Sequence, residues 1–223
     1  YLMPMLMSDG YILREQIVRR LGLAGPETLR TPSRTPGKVQ RLILCPPIGT
    51  HPALAMMIGR RVAALCDRLG LPPRRTSILL VAHGTLRHSG SRDAAERCAA
   101  ALDADGRYAA VATAFLNEPP FPEDALRCLP SPWKVAVGLF AAEGLHGGGD
   151  VPELLGPSAG PDGSADGLDI VADATGTVFY AGAIGVDAEI PDLVLDCVRQ
   201  GDLAAAAKRS PLPGPATRPD TWL

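Results

Sequence analysis

The strongest constraint on how this chain can fold is a series of short, unbroken apolar runs, each stopped by Gly, Pro or a charged residue. Residues 2–7 (LMPMLM), 41–45 (RLILC), 77–82 (SILLVA), 110–116 (AVATAFL), 134–139 (KVAVGL) and 177–180 (TVFY) read as strands buried on both faces. Between them, residues 53–69 set Leu54, Met57, Ile58, Arg61, Val62, Leu65 and Leu69 three and four apart, and residues 91–102 follow the same period. Strand alternating with helix predicts an α/β fold: parallel sheets with right-handed crossovers, flanked by helices. The core must be aliphatic, since the 223 residues include only two Trp, four Tyr and four Phe. Residues 22–38 and 156–167 interrupt this order as Gly- and Pro-rich loops. The tail from Ser210 carries four prolines and is expected to extend flexibly, with Trp222 as its one docking residue.

Charge excludes some functions. Twenty-two Lys and Arg against 24 Asp and Glu leave a formal net charge of −2, so no broad electrostatic grip on nucleic acid or an anionic membrane is expected. The apolar stretch at residues 1–7 is far shorter than a membrane span of ~20 residues, and it reads as a buried strand cut off at its beginning. Five cysteines (Cys45, Cys66, Cys98, Cys128, Cys197) are scattered without a CxxC pair. Neither a disulfide framework nor a zinc site is indicated, and the reducing cytoplasm is the expected location.

An internal repeat organises the chain. Residues 10–22 (GYILREQIVRRLG) match residues 144–156 (GLHGGGDVPELLG) at an offset of 134, and residues 48–54 (IGTHPAL) match 184–190 (IGVDAEI) at an offset of 136. In each second pair a strand enters an Ile-Gly turn and then a helix. Residues 77–137 have no earlier counterpart, and the copy of His83 would fall about fifty residues before Tyr1. Two similar lobes are therefore expected, the first incomplete: residues 1–75 as the rear half of a degenerate lobe, 76–208 as a complete lobe, and 209–223 as a tail. The same arithmetic predicts an N-terminally truncated piece of a longer protein.

Four histidines carry most of the chemical potential. His83 follows the strand at 77–82, and His146 lies just past the strand at 134–139, so both fall at the carboxyl edge where parallel sheets place ligands. If those strands are neighbours, two imidazoles converge on one point and suit a divalent transition metal with open coordination positions. Glu118, after the strand at 110–116, or Glu143, beside His146, supplies a carboxylate. A lone histidine in a loop more often bonds backbone than metal, and it is the pairing that favours the functional reading. His88 is weaker. His51 precedes Pro52 at a helix start, and its repeat partner Asp187 points to capping in both copies.

These residues resemble the small class II chelatases, which insert cobalt or iron into sirohydrochlorin. The likeness rests on Leu79-Leu80-Val81-Ala82-His83-Gly84-Thr85, then Phe115-Leu116-Asn117-Glu118-Pro119-Pro120, then Gly144-Leu145-His146 with Asp150-Val151-Pro152. It covers most of residues 77–155. The resemblance implies that His83 and His146 are the metal-binding and catalytic histidines, with a divalent metal (Co²⁺ or Fe²⁺) as substrate and no organic cofactor. It places a glutamate where this chain has Asn117, so either Glu118 takes that role after a local shift or the carboxylate is lost. In the first copy Ile12 stands at the place of His146, so only one half carries the site.

On this reading the histidines hold the cation, and one of them, with Glu118, accepts the pyrrolic protons near neutral pH. Arg87 and Arg92 are the nearest cations for the carboxylates of a tetrapyrrole, against a plainer reading as solvated side chains. Gly147, first of three glycines, lets backbone approach a flat ring or simply makes a flexible loop. Contact between lobes or between two copies is a further expectation. The alternative is a non-catalytic, chelatase-derived protein that binds metal or tetrapyrrole. A nucleotide-binding glycine loop ranks last, because residues 144–149 lack the GxGxxG order and no P-loop Lys-Ser/Thr follows.

Overall fold

The structure, a computed structural model, describes residues 1–31, 37–156, 164–165, 168–173 and 176–209. In chain order the strands are β1 (Glu27–Arg30), β2 (Gln40–Ile43), β3 (Thr76–Ala82), β4 (Ala110–Phe115), β5 (Trp133–Gly138), β6 (Ser164–Ala165), β7 (Leu168–Asp173) and β8 (Gly176–Ala183). The α-helices are α1 (Val18–Leu21), α2 (Leu54–Leu69), α3 (Gly90–Asp103), α4 (Pro122–Cys128), α5 (Val151–Leu155) and α6 (Ile190–Arg209). Six strands form one sheet in the order β4-β3-β5-β8-β7-β6. The four from β4 to β8 run parallel, and β7 and β6 add antiparallel at the edge.

The parallel order follows from burial on both faces. Every residue of β3 is buried, and alternate side chains serve different layers. Ile78, Leu80 and Ala82, with Val135, Val137 and Phe179, pack against α2 and α3 through Leu54, Met57, Ile58, Val62, Ala95 and Leu102. Leu79 and Val81, with Ala136, Val178 and Tyr180, pack against α4 and α5 through Ala125, Leu126, Val151 and Leu155. The three- and four-residue spacing read in residues 53–69 is thus the face of α2 that covers the sheet.

The repeat is visible as matching turns. A π-helical turn at Ile12–Ile17 leads into α1, and another at His146–Asp150 leads into α5. Short 3₁₀ turns at Ile48–Thr50 and Ile184–Val186 lead into α2 and α6. Gly49 donates its N–H to the Leu6 carbonyl at 3.0 Å, and Gly185 donates to the Phe140 carbonyl at 2.9 Å. The helices after these turns cross over: α2 covers the large sheet, while α6 packs against β2 and the Ile48–Thr50 turn. His51 accepts the Ala53 N–H on Nδ1 at 3.1 Å and reaches Asp196 of α6 at 2.8 Å, while Asp187 accepts the Glu189 N–H. Each thus bonds the N–H two residues on, at the entry to its helix, although α2 has no side-chain cap at its own N-cap residue, Ala53.

Three expectations need correction. Residues 2–7 do not make a strand; they run beside β2 with a single parallel bridge, Leu2 to Leu44, equivalent to the Ala136–Tyr180 pairing of β5 and β8. Residues 22–38 are not all loop, because β1 pairs antiparallel with β2. Its sequence, ETLR, has a single aliphatic residue, and Leu29 faces solvent, so apolar content gave no signal. Residues 156–167 are likewise not all loop, because β6 at 164–165 pairs antiparallel with β7. The tail from Ser210, with Trp222, lies outside the described residues.

Gly49 and Gly185 generate a prediction. A Cβ at either position would sit inside the van der Waals shell of backbone atoms, of Met7 in one copy and Ala141 in the other. Neither neighbour is a side-chain end that can swing away. Gly49→Ala and Gly185→Ala should each lower stability by about 1–3 kcal/mol, the usual cost of overpacking. Urea midpoints measure this, and a wild-type midpoint for both variants would contradict the described turns.

Candidate functional site

The central position of β3 sets the geometry. It pairs with β4 from Ser77–Ala110 to Ala82–Phe115 and with β5 from Thr76–Trp133 to Val81–Gly138. The three strands therefore end level, and the chain leaving each one meets the others. Leu116 and Asn117 donate their N–H groups to the carbonyls of Ala82 and His83, both at 3.0 Å, and Leu139 donates to Val81 at 2.7 Å. His83 and Asn117 sit on adjacent strand ends, and His146 opens the π-helical turn beyond β5.

The two imidazoles meet. Their ring centroids are 5.0 Å apart at 46°. With metal–nitrogen distances of about 2.0–2.1 Å, one cation between the rings can touch both. His83 is partly desolvated, and that burial first, then the charge of His146, sets its pKa below the ordinary histidine value and favours the neutral, ligating form. The Asn117 amide nitrogen lies 3.4 Å from Nδ1 and 3.3 Å from Nε2 of His83. A donor equidistant from both ring nitrogens rests on the ring face and occupies neither lone pair. His146 Nδ1 is 2.6 Å from Asp150 Oδ2. Among the described residues no group of three or more His, Cys, Asp and Glu side chains is arranged to hold a metal. A cation on the two histidines would keep most of its coordination positions open.

The expected carboxylates are elsewhere. Glu118 is 6% exposed, and both of its oxygens are engaged: Oε1 accepts the Thr85 N–H at 2.9 Å and Oε2 pairs with Arg92 at 2.8 Å. Burial pushes this carboxyl upward. Hydrogen bonds from Arg92 and Thr85, with the charges of Arg92 and His88, outweigh it and hold Glu118 below its ordinary value. Glu143 accepts the Ala183 N–H at 3.0 Å, over the Gly182 turn. Glu118 works on the loop that carries His83. Gly84, at φ +66°, permits this, since a Cβ there would stand 2.6 Å from Phe115 Cβ and 2.8 Å from Glu118 Cγ.

A cleft of about 420 Å³ opens beside His83, between residues 5–12 and the chain after β5. Met5, Met7, Tyr11 and Phe140 give it an apolar lining, and Arg87 stands at its wall. The Arg87 side chain has no ion-pair partner among the described residues. Arg92, expected beside it to meet a carboxylate, is committed to Glu118, Glu96 and the Pro119 carbonyl and lies over the Phe115 ring at 4.4 Å. His88 accepts the Tyr11 N–H at 3.3 Å and stacks on that ring, joining the cleft's two walls. Gly147 has a packing reason: a Cβ would meet the Ala142 carbonyl at 3.0 Å and Ala183 Cβ at 3.2 Å. Asp150 follows His146 by four residues, a spacing visible in the sequence that places the two side chains on one face of a helical turn.

A parallel sheet whose strand ends bring two imidazoles together, one of them lining a cleft, is, together with its relatives, the fold of a class II chelatase. The CbiX family model matches residues 77–201, and the chain belongs to that family. A probable sirohydrochlorin cobaltochelatase of Halobacterium salinarum is 26% identical over 217 residues, covering 88% of this chain and 70% of its own length. A solved CbiX, described as the terminal enzyme for biosynthesis of siroheme in denitrifying bacteria, matches with a TM-score of 0.64 at 26% identity, over 88% of this chain and 73% of that one. SirB from Bacillus subtilis, solved with Fe³⁺, shares the fold with a TM-score of 0.60 at 14% identity, over 93% of this chain and 72% of its own.

Glu118 supplies a pH test. Its folded pKa is depressed, so its contribution to stability is present above the unfolded carboxyl value and is lost as pH falls through the folded one. Glu118→Gln should be less stable than wild type near pH 7, with the gap closing on acidification. Urea midpoints from pH 7 to pH 3 read this out, and a gap that stays constant would contradict the Arg92–Glu118–Thr85 arrangement.

Proposed function

We propose that this chain inserts a divalent metal ion, Co²⁺ or Fe²⁺, into sirohydrochlorin. The observation that carries the proposal is the approach of His83 and His146 to 5.0 Å between ring centroids, with His83 lining a cleft, in a chain of the CbiX family. The metal is a substrate, so the protein must hold it weakly enough to release it. Two imidazoles, with no third ligand among the described residues, satisfy that demand, because the remaining positions stay with water that an incoming ring nitrogen can displace. Insertion forms bonds from the metal to the macrocycle nitrogens and releases two pyrrolic protons. Imidazole, poised near neutrality, accepts a proton as each histidine lets go of the metal.

The cleft lining supports the same reading. Met5, Met7, Tyr11 and Phe140 suit the flat face of a tetrapyrrole, and Arg87 suits a peripheral carboxylate. Glu118 and Arg92 hold the His83 loop in place, and no organic cofactor enters this scheme. Residues 76–208 form the working unit, and residues 1–75 correspond to the rear half of a second, degenerate lobe whose first segment walls the cleft. The five cysteines are free, which suits the reducing cytoplasm we assign to it. Among the described residues no helix is long and apolar enough to cross a membrane.

The test follows the loss of free sirohydrochlorin absorbance with Co²⁺ and with Fe²⁺. Wild type should exceed the buffer rate, and His83→Ala and His146→Ala should each lose about 10²-fold or more, the range that a positioned proton acceptor contributes. A wild-type rate equal to buffer would leave a metal- or tetrapyrrole-binding protein without catalysis. Full activity in both histidine variants would refute the site.

A further inference from the structure

We propose that Asp150 is a positioning residue for His146: its carboxylate accepts the Nδ1–H of the imidazole and so turns the Nε2 lone pair toward His83 and the shared cation. This rests on the metal-insertion reading above. Asp150 Oδ2 stands 2.6 Å from His146 Nδ1. The two residues are the first and last of the π-helical turn His146–Asp150, where the Val151 N–H bonds the His146 carbonyl. A π turn holds more than four residues, so side chains four apart lie almost one above the other. The residues between are Gly147, Gly148 and Gly149, and no side chain comes between ring and carboxylate. Tyr180 donates its hydroxyl to the Gly147 carbonyl at 2.7 Å and pins the turn to β8.

Stability does not account for the pair. The two side chains are 46% and 40% exposed, and an ion pair so open to water adds little to folding. The matching turn at Ile12–Ile17 forms without it, carrying Ile12 and Gln16 where the second copy has His146 and Asp150. Histidine and aspartate are thus present together in the copy that carries the site and absent together in the other. A carboxylate on the far nitrogen of a ligating imidazole fixes its tautomer, holds its ring orientation and strengthens it as a ligand. Among the described residues no carboxylate bonds His83, whose neighbour is the Asn117 amide. The two imidazoles are therefore unequal, with His146 the anchored one.

The experiment measures Co²⁺ affinity by calorimetry for the full chain, without tetrapyrrole, in wild type, Asp150→Ala, Asp150→Asn, His146→Ala and the double variant Asp150→Ala/His146→Ala. Asp150→Ala should weaken Co²⁺ binding about 10–100-fold with an unchanged melting temperature. Asp150→Asn keeps an acceptor for the Nδ1–H and should recover part of that loss. In the His146→Ala background, Asp150→Ala should cost nothing further. Wild-type affinity in Asp150→Ala, or an equal loss with and without His146, overturns the assignment. If the predicted coupling to His146 is found and sirohydrochlorin is still not metallated, the positioning role stands and the enzyme reading fails.

Discussion

Everything at the site depends on β3 being hydrogen-bonded along both edges in parallel register. With β4 on one side and β5 on the other, three strands end at one level, and the residues that follow them are forced together. Fully buried side chains on both faces of β3 enforce that position, because a slip of one residue would exchange its α2–α3 face for its α4–α5 face. The approach of His83 and His146 is therefore a consequence of core packing. His83 itself can stay exposed and still be well placed.

The internal repeat shows how one backbone device serves two purposes. Both copies build a π-helical turn, a short helix and an Ile-Gly 3₁₀ turn whose glycine lies against backbone. In the second copy the turn presents His146 and Asp150 to the site. In the first it presents Tyr11 and Ile12 to the wall of the cleft. The helices that follow are exchanged, α2 onto the large sheet and α6 onto β2, and His51–Asp196 and Arg60–Glu189 tie them together. Of the two turns only the second carries a histidine, and the first lines the cleft beside His83.

Much of this was legible in the sequence, and the failures have physical causes. Unbroken aliphatic runs announced β3, β4, β5 and β8, since a strand covered on both faces needs no polar alternation. Strand β1 stayed hidden because a two-stranded ribbon with Leu29 outward needs almost no apolar signature. His83 and His146 could be paired because both follow such runs. Glu118 could not be assigned from its place in the chain. Only coordinates show that its carboxylate is turned onto Arg92 and the Thr85 N–H. The engagement of Arg92 is hidden for the same reason: a guanidinium over Phe115 and beside a buried carboxylate looks, in sequence, like any arginine near a helix start.

The central claim is that one cation bridges His83 and His146. X-ray absorption of the Co²⁺-loaded protein at the cobalt edge tests it most directly, because imidazole scattering reports how many histidines bind. The account predicts two imidazoles on cobalt, one after either His83→Ala or His146→Ala, with the remaining ligands light oxygen donors. Two imidazoles retained in both variants, or none in wild type, would contradict it.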